Sequence, residues 1–509
     1  MSMENRKTGL IATGLLIGMI LSSLDQTIVS TAMPTIIKKL GGLSLYSWVF
    51  AIYMLALTTT MPIYGKLADL FGRRKIYLIG LFIFLAGSAL CGMAGNMVEL
   101  IIFRGVQGLG AGALMPVAFT IIGDILPPER RGKFMGLFGA IFAIASIIGP
   151  TLGGAIVEYW NWSWIFYVNI PIGIPAFFII AIALKESKSN EKRSVDWFGA
   201  ITLSGAIVSI LLALVLGGNQ KGDAIHFAWG SPQIVALFGI GALLLGLFLW
   251  IETKVKEPII PLQLFKIRAI AFGSIAGFFM SAGMFGAITY IPLYVQGVIG
   301  VSPSIAGYIL TPLMVSAAVT STASGRWMNK ASFRMILVPS LSLMVIGFIL
   351  LSQMTVDTTK LQIVLCMIIT GLGIGAVYPT LGTAAQSVVE GRDRGVSTSS
   401  SQFFRSMGGT IGVSILGSLL AQQMTSGLIH LSTKLAALPA DQLQRFSNPQ
   451  LLLDSEARAS MPQEVWLGLQ QVLSHSLKTL FLAGLFSVGI SLIACILMGN
   501  ARLIKTSKG

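Results

Sequence analysis

The stretch GKLADLFGRRK, residues 65–75, joins two long apolar runs through a short basic loop. Its two glycines, Gly65 and Gly72, permit close helix packing and a sharp turn. Four charged side chains in or near the stretch can form ion pairs with one another, and they are Asp69, Arg73, Arg74 and Asp124. Such a network can hold two helix bundles in either of two arrangements and thereby act as a gate. The alternative is a basic loop that only sets the orientation of the chain in a membrane.

Apolar runs of the length that crosses a bilayer as a helix, about 20 residues, recur along the rest of the chain. Hydrophobic residues make up 54% of the 509-residue sequence and charged residues only 11%, whereas soluble domains carry about 25% charged residues. The sequence therefore predicts an all-α polytopic membrane protein with fourteen spans. The spans are expected near residues 10–33, 46–66, 76–96, 98–122, 133–157, 164–184, 197–217, 232–251, 270–297, 304–328, 334–354, 361–388, 394–420 and 477–499.

The basic residues are divided unevenly between the two sides of these spans. Most of the 35 lysines and arginines fall in alternate loops, and the positive-inside rule makes those loops and both chain termini cytoplasmic. The net charge of +15 therefore reflects the orientation of the chain in the membrane. The sequence predicts no basic soluble domain that would support nucleic-acid binding. Residues 421–476 form the one long outer segment, with short amphipathic helices expected at 451–458 and 465–473. This segment is either a protective cap or a docking site or filter for substrates.

Asp25 is the only carboxylate deep inside an apolar span. A charge at the bilayer centre costs about 2.5–3.5 kcal/mol on insertion scales, so such residues usually serve a proton or substrate path. A structural aspartate, hydrogen-bonded to a neighbouring helix, is the alternative. Arg104 in the fourth span needs an acceptor that Asp25 can supply, unless its side chain extends to the outer interface. Arg405 in the thirteenth span is also expected to be buried, with no partner readable from the sequence.

Four motifs resemble those of the major facilitator superfamily. The loop at residues 65–75 resembles the family signature between the second and third helices. The sequences LDQTIVSTAMP (24–34), RGVQGLGAGALMP (104–116) and GPTLGG (149–154) resemble motifs of the first, fourth and fifth helices. The last of them resembles the antiporter motif, which marks exporters. Taken together, the motifs resemble those of the fourteen-span drug–proton antiporters within that superfamily.

The resemblance implies two six-helix bundles, residues 1–190 and 258–509, with two inserted helices within 191–257. The fifth-helix residues expected to pack closely and to seal the cavity against protons are Gly149, Pro150, Gly153 and Gly154. The residues expected to line the cavity are Gln107, Tyr290, Tyr378, Gln402 and Arg405. The chain departs from the family pattern at Ala145 and Ser163, where relatives usually carry glycine and arginine.

The implied function is proton-coupled antiport that exports small amphipathic or cationic compounds by alternating access. In that mechanism Asp25 and Arg104 couple the proton to the substrate. Because the later helices lack further embedded acids, the expected substrates are monovalent cations, zwitterions or neutral amphiphiles. The alternative is an exporter dedicated to one endogenous metabolite, lipid or peptide.

Other classes of function fit the sequence poorly. The three histidines fall in predicted outer loops and no cofactor motif is present, so we expect no catalytic residue, metal or cofactor. No predicted inner loop is long enough for a signalling domain. The expected partners are substrates, protons and membrane lipid, with no nucleic acid. A monomer driven by the proton gradient across a bacterial cytoplasmic membrane is the expected functional form.

Overall fold

The computed structural model describes residues 3–40, 46–126, 159–185, 196–217, 227–255, 258–301, 303–389, 393–434 and 462–502, with scattered residues between 134 and 157. Over these residues the chain is helical, and its only β-type pairing is an isolated bridge between Gly217 and Phe227. Twelve helices in the described ranges are long and apolar enough to cross a membrane. The prediction of an all-α polytopic membrane protein is therefore confirmed.

The helices follow the predicted spans in order. The first eight are α1 (Met3–Leu40), α2 (Tyr46–Phe71), α3 (Arg73–Met93), α4 (Met97–Ile125), α5 (Trp164–Tyr167), α6 (Asn169–Ala183), α7 (Trp197–Leu216) and α8 (Pro232–Glu252). After a 3₁₀ turn (Leu262–Lys266) come α9 (Arg268–Gly297), α10 (Pro303–Trp327), α11 (Phe333–Ser352), α12 (Lys360–Gly375), α13 (Val377–Ser387), α14 (Arg394–Lys434) and α15 (Gln463–Leu497). The predicted fifth span, residues 133–157, lies largely outside the described residues.

Local sequence sets several helix ends. Gly72 separates α2 from α3 with a φ of 96°, a left-handed conformation that favours glycine and allows the predicted sharp turn. The Asn96 side chain caps α4 by accepting a hydrogen bond from the Glu99 backbone N–H at 2.9 Å. Thr359 and Gln362 form a reciprocal capping box at the start of α12. These caps satisfy backbone groups that the helices themselves leave unpaired.

The helices on either side of the predicted outer segment are longer than expected. Helix α14 continues to Lys434 and α15 begins at Gln463, so residues 421–434 and 463–476 are helical. The two extensions pack on each other, because Gly427 approaches Val472 and Gly468 approaches Leu431. The helix expected at 465–473 is therefore part of α15, and the one expected at 451–458 lies outside the described residues.

The apolar core falls into clusters that follow the order of the chain. One cluster contains residues of α9 to α15 and none from earlier helices. A second joins α1 to α4, α6, α7 and α8, and it also includes Phe403 of α14. Helix α7 packs against α8 and contacts both α2 and α14. The α7–α8 pair therefore lies against a helix from each end of the sequence.

Helices α3 and α4 cross at very short range near Gly87. A Cβ built at Gly87 would lie 2.5 Å from the backbone nitrogen of Gln107, whereas one built at Gly489 on α15 meets nothing within 4 Å. Only a hydrogen at Gly87 leaves room for the α4 backbone, which cannot move aside as a flexible side chain can.

We predict that Gly87→Ala lowers stability by about 1–3 kcal/mol through overpacking. The matched Gly489→Ala variant is expected to be neutral or stabilising by up to about 1 kcal/mol, since alanine is the better helix former. Thermal unfolding of both purified variants in detergent measures the difference. Equal melting temperatures would contradict the close α3–α4 crossing.

Candidate functional site

A buried polar cluster surrounds Asp25 on α1. Its carboxylate is fully buried and accepts hydrogen bonds from three side chains. Arg104 Nη1 lies 2.6 Å from Oδ2, while Gln107 Nε2 and Asn169 Nδ2 lie 2.8 and 3.2 Å from Oδ1. Three donors fit an ionised carboxylate, which can only accept. The structure thus brings together Asp25 and Arg104, the two membrane-embedded charges that the sequence predicts to meet.

A serine on α3 completes this cluster. Ser88 Oγ accepts hydrogen bonds from Gln107 Nε2 at 3.2 Å and from Asn169 Nδ2 at 2.9 Å, and it donates to the Phe166 carbonyl at 2.8 Å. We call Asp25, Ser88, Arg104, Gln107 and Asn169 the Asp25 cluster. Its members come from α1, α3, α4 and α6, so one polar network joins four helices. Sequence reasoning missed Ser88 and Asn169, although an asparagine within the apolar run YVNIPIG is a usable signal.

Arg104 is enclosed by α2 as well as by Asp25. Its guanidinium carbon lies 4.0 Å from the centre of the Tyr53 ring, and its Nε lies 3.5 Å from the Val49 carbonyl oxygen. Only 1% of the side chain is exposed. The alternative in which Arg104 extends to the outer interface is therefore wrong for this structure. The stacking on Tyr53 adds a cation–π contact to the ion pair.

The described part of the fifth-helix motif packs against α1 close to Asp25. Thr27 Oγ1 donates to the Ala145 carbonyl at 3.2 Å, and Gly149 approaches the same threonine so closely that a Cβ there would collide with its hydroxyl. Of the four motif residues, Gly149 and Gly153 are described, whereas Pro150 and Gly154 lie outside the described residues. Close helix packing beside Asp25 thus has a structural basis, and the sealing of the cavity against protons stays a prediction.

A second ionic network lies where the helices meet their basic loops, which we call the basic-loop end. Asp69 accepts from Arg73 Nη2 at 3.3 Å and from the backbone N–H of Val396 at 3.0 Å. Arg73 also forms an ion pair with Asp124, which lies 3.9 Å from Arg394. The network therefore connects α2, α3 and α4 to the first turn of α14.

Arg74 has a different position from the one expected. Its guanidinium donates to the Ala181 carbonyl near the end of α6, so of the two arginines Arg73 is the one that contacts Asp69. A cation beside the last carbonyls of a helix is a favourable placement. Gly65 lies against Ser399 of α14, which allows the two helices to approach closely at the same end.

Three further polar contacts join the early helices to the late ones. They are Thr58 Oγ1 to Ser406 Oγ at 3.0 Å, Gln386 Nε2 to the Phe119 carbonyl at 3.1 Å, and Gln402 Nε2 to Met115 Sδ at 3.7 Å. Together with the ionic network they extend from the middle of the helices to the basic-loop end. The described residues therefore show a conformation that is closed at the basic-loop end.

The predicted cavity residues separate into three places. Gln107 belongs to the Asp25 cluster, whereas Arg405 on α14 packs with Tyr378 and Gln402. Tyr290 lies apart from both groups and donates its hydroxyl hydrogen to the Val413 carbonyl at 3.2 Å. Among the described residues, no group of three His, Cys, Asp or Glu side chains is arranged to hold a metal ion.

Comparison with known proteins places this architecture in a family of transporters. The family model "Major Facilitator Superfamily" matches residues 15–413, and the chain belongs to that superfamily. It is therefore a membrane transporter rather than an enzyme.

Two relatives from Bacillus subtilis (strain 168) match nearly the whole chain. The chain is 43% identical to "Multidrug transporter protein MdtP" over 99% of its length and 95% of the relative, and 39% identical to "Multidrug resistance protein 3" over 99% and 98%. Among solved structures it resembles the human organic anion transporter MFSD10 (TETRAN), with a TM-score of 0.62 and coverage of 96% and 100%. That structural likeness, at 14% sequence identity, supports the fold alone.

Removal of the Asp69 charge should open the basic-loop end. We expect Asp69→Asn to weaken the contacts to Arg73 and Val396, which are charge-assisted and worth about 1.5–3 kcal/mol each at most. Loss of half the free energy of one such contact already shifts the equilibrium between the closed and the open conformation severalfold. Distances between spin labels at Phe71→Cys and Trp327→Cys, both exposed positions, should then move toward longer values.

Glu99→Gln serves as the matched control for this measurement. Glu99 is a partly exposed acid at the end of α4 away from the Asp69 network, where it accepts a hydrogen bond from the Gly95 N–H at 2.8 Å, so its neutralisation should leave the distances unchanged. An identical distance distribution in Asp69→Asn and wild type would show that the network does not hold the closed conformation.

Proposed function

We propose that this protein is a proton-coupled antiporter that exports small amphipathic or cationic compounds by alternating access. The observation that carries the proposal is the buried Asp25–Arg104 ion pair within a membrane bundle. Intramembrane ionisable residues of this kind mark proton or substrate paths. The names of the two bacterial relatives, which describe multidrug transport and multidrug resistance, support the substrate class.

The proposal includes the arrangement in the membrane. It comprises fourteen spans with cytoplasmic termini, two six-helix bundles at 1–190 and 258–509, and the inserted helices within 191–257. The asymmetry of basic loops supports this orientation, and the basic-loop end is then the cytoplasmic end. A monomer in a bacterial cytoplasmic membrane, in contact with lipid and without a cofactor, is the proposed working form. The inserted helices are assigned a scaffolding role, because α7 contacts both α2 and α14.

Coupling follows from the charge balance of the Asp25 cluster. With Asp25 ionised, its pair with Arg104 is neutral and fully hydrogen-bonded. Protonation of Asp25 removes the negative charge and leaves Arg104 buried without a counter-charge, which is costly in a low-dielectric interior. The protonated state therefore favours a rearrangement that releases Arg104, and an arriving substrate competes with the proton for the same carboxylate.

The route of the proton requires motion. Asp25 is fully buried in the conformation closed at the basic-loop end. Water therefore reaches the carboxylate only after the helices around it separate, as an alternating-access cycle requires. The Asp69 network closes one end of the cavity during part of this cycle and opens in the other part.

The proton gradient supplies enough energy for export. When one proton is exchanged for a neutral or zwitterionic molecule, one net charge moves through the membrane potential, and 100 mV then yields about 2.3 kcal/mol. At about 1.4 kcal/mol per decade, that energy sustains a roughly fifty-fold concentration gradient before any pH difference is added. Exchange for a monovalent cation moves no net charge and is driven by the pH difference.

The alternative is an exporter dedicated to one endogenous metabolite, lipid or peptide. The two functions share the same coupling residues and differ in the range of accepted compounds. Transport of structurally unrelated compounds by the purified protein would favour the multidrug function, and transport of a single compound from a broad panel would favour the dedicated one.

We predict that Asp25→Asn abolishes proton-driven uptake of a cationic dye into inside-out vesicles, in which export carries the dye into the lumen. The amide retains the shape of the side chain but cannot exchange a proton in the cycle. Dye accumulation after a pH jump measures the coupled activity, and a protonophore should collapse it in wild type. Uptake that survives the protonophore in wild type would exclude proton coupling.

A second measurement separates loss of coupling from loss of folding. Because the amide introduced by Asp25→Asn still offers one acceptor oxygen to Arg104 or Gln107, the variant should insert in the membrane and elute as wild type does. Exchange of labelled for unlabelled substrate across the vesicle membrane needs no net proton movement, so it should persist in the variant. Unchanged proton-driven uptake in Asp25→Asn would remove Asp25 from the coupling mechanism.

A further inference from the structure

Arg405 is a buried cation with an incomplete set of partners. It lies on α14 with only 2% of its surface exposed. Its Nη1 donates to the Tyr378 carbonyl at 3.1 Å, its Nη2 donates to Gln402 Oε1, and its guanidinium carbon lies 5.0 Å from the centre of the Tyr378 ring. Its Nε has no hydrogen-bond partner among the described residues. Each of these partners is neutral, and the two hydrogen bonds use only two of the five guanidinium N–H groups, so donors remain available within the described part of the chain.

The sequence provides no carboxylate for Arg405 within the membrane. Residues 259–389 contain a single acid, Asp357, which lies between α11 and α12, and residues 394–440 contain none. Asp25, the acid embedded in the early helices, is already held by Arg104. The positive charge is permanent, because arginine is not deprotonated in proteins.

Arg405 lies beside the interface between the two bundles, and its own contacts are to α9, α13 and α14. Two neighbouring residues on α14 make contacts across the seam, by which we mean the interface between the early and the late helices. Gln402 Nε2 lies 3.7 Å from Met115 Sδ, and Ser406 Oγ lies 3.0 Å from Thr58 Oγ1. Its side chain is covered by protein, with Gly277 of α9 against its aliphatic part. The seam at this depth is closed in the present conformation and opens when the bundles separate.

A buried charge without a counter-charge is unfavourable, and natural proteins rarely keep one unless it has a partner in another state. We propose that Arg405 binds the carboxylate, or another anionic oxygen group, of the transported amphiphile. This inference rests on the proposed export function and names the class of substrate that the same cavity takes. The planar guanidinium, held by Tyr378 and Gln402, is suited to a carboxylate because it can donate two parallel hydrogen bonds.

The net charge of the membrane-embedded residues also favours a substrate that carries an anionic group. The Asp25–Arg104 pair is neutral, so Arg405 leaves the membrane-embedded part of the described helices with one excess positive charge. A lipophilic cation is repelled by that charge, whereas a zwitterion or an organic anion is attracted to it. Amphiphiles with a carboxylate are therefore preferred over simple cations, which moves the substrate range expected from the sequence away from cations and adds organic anions to it.

The test compares one fluorescent amphiphile carrying a free carboxylate with its neutral methyl ester. Equilibrium binding to the purified full-length protein is measured by quenching of its tryptophan fluorescence. We expect the carboxylate to bind about tenfold more tightly or better, as one charge-assisted hydrogen bond provides. Equal affinities, or tighter binding of the ester, would overturn the proposal without any mutation.

Variants then assign the preference to this residue. In Arg405→Met the advantage of the carboxylate over the ester should disappear while the affinity for the ester stays within about twofold. Arg405→Lys should keep part of the advantage, since it retains the charge and loses the planar fork. Arg326→Met, at an exposed arginine of α10, is the matched control and should bind both probes as wild type does. A carboxylate preference that survives in Arg405→Met would assign it to other residues and overturn the proposal.

Transport assays keep this inference separate from the proposed function. Proton-driven efflux of the ester and of the carboxylate with equal KM values would leave the export function intact and contradict the role of Arg405. A clear carboxylate preference in the binding assay, with no proton-driven efflux of either probe, would support the role of Arg405 and contradict proton-coupled export.

Discussion

The pairing of Asp25 with Arg104 is the interaction on which the arrangement of the early helices depends. Each partner alone would be an unpaired charge in a low-dielectric bundle, and removal of one partner from a buried pair typically costs about 3–5 kcal/mol. The pair is tolerated here because Gln107 and Asn169 also donate to the carboxylate, and Ser88 in turn accepts a hydrogen bond from each of these two amides. The same network fixes four helices relative to one another, so the electrostatic and packing constraints coincide.

Helix α2 connects this pair to the seam between the bundles. Val49 and Tyr53 contact Arg104 near one end of the helix, Thr58 contacts Ser406 at its middle, and Asp69 contacts Val396 at the other end. The part of α2 from Val49 to Thr58 precedes Pro62, the proline inside the helix, and moves largely as a rigid unit. A displacement of Arg104 can therefore reach the α14 contact of Thr58 through α2 without a chain of small side-chain adjustments, which is a physical basis for coupling between distant sites.

The sequence was sufficient to predict the features that have a large effect on the free energy of the chain in a membrane. The apolar runs predict nearly every described helix, and two lone embedded charges such as Asp25 and Arg104 are expected to meet because neither is tolerated alone. The neutral members of the cluster were harder to recognise, since Ser88 and Asn169 cost little in a membrane helix and resemble many other polar residues. The prediction missed the helical extension at residues 421–434 and made 465–473 a separate short helix, because amphipathic segments beyond the bilayer carry no strong hydropathy signal. Arg405 had no readable partner because the late helices contain no buried acid to pair with it.

The contacts at the basic-loop end and the contacts along α7 differ in chemistry, since the first are ionic or hydrogen-bonded and the second are apolar. This difference affects how the early and late helices can move relative to each other. The contacts that α14 makes with α2 and α4 at the basic-loop end are a directional hydrogen bond and an ion pair, which hold one geometry and break when the helices rotate apart. Helix α7, which also contacts α2 and α14, contributes apolar side chains such as Leu203 and Ile207 to the core cluster that includes Phe403. Apolar contact between membrane helices is van der Waals packing, which is non-directional and depends on the area in contact rather than on a bond angle. The α7 face can therefore stay in contact while α2 and α14 slide along it, whereas the ionic network must open. The apolar contacts along α7 thus allow sliding, and the ionic network at the basic-loop end holds one position until it opens. A rocking motion with two stable positions requires both kinds of contact.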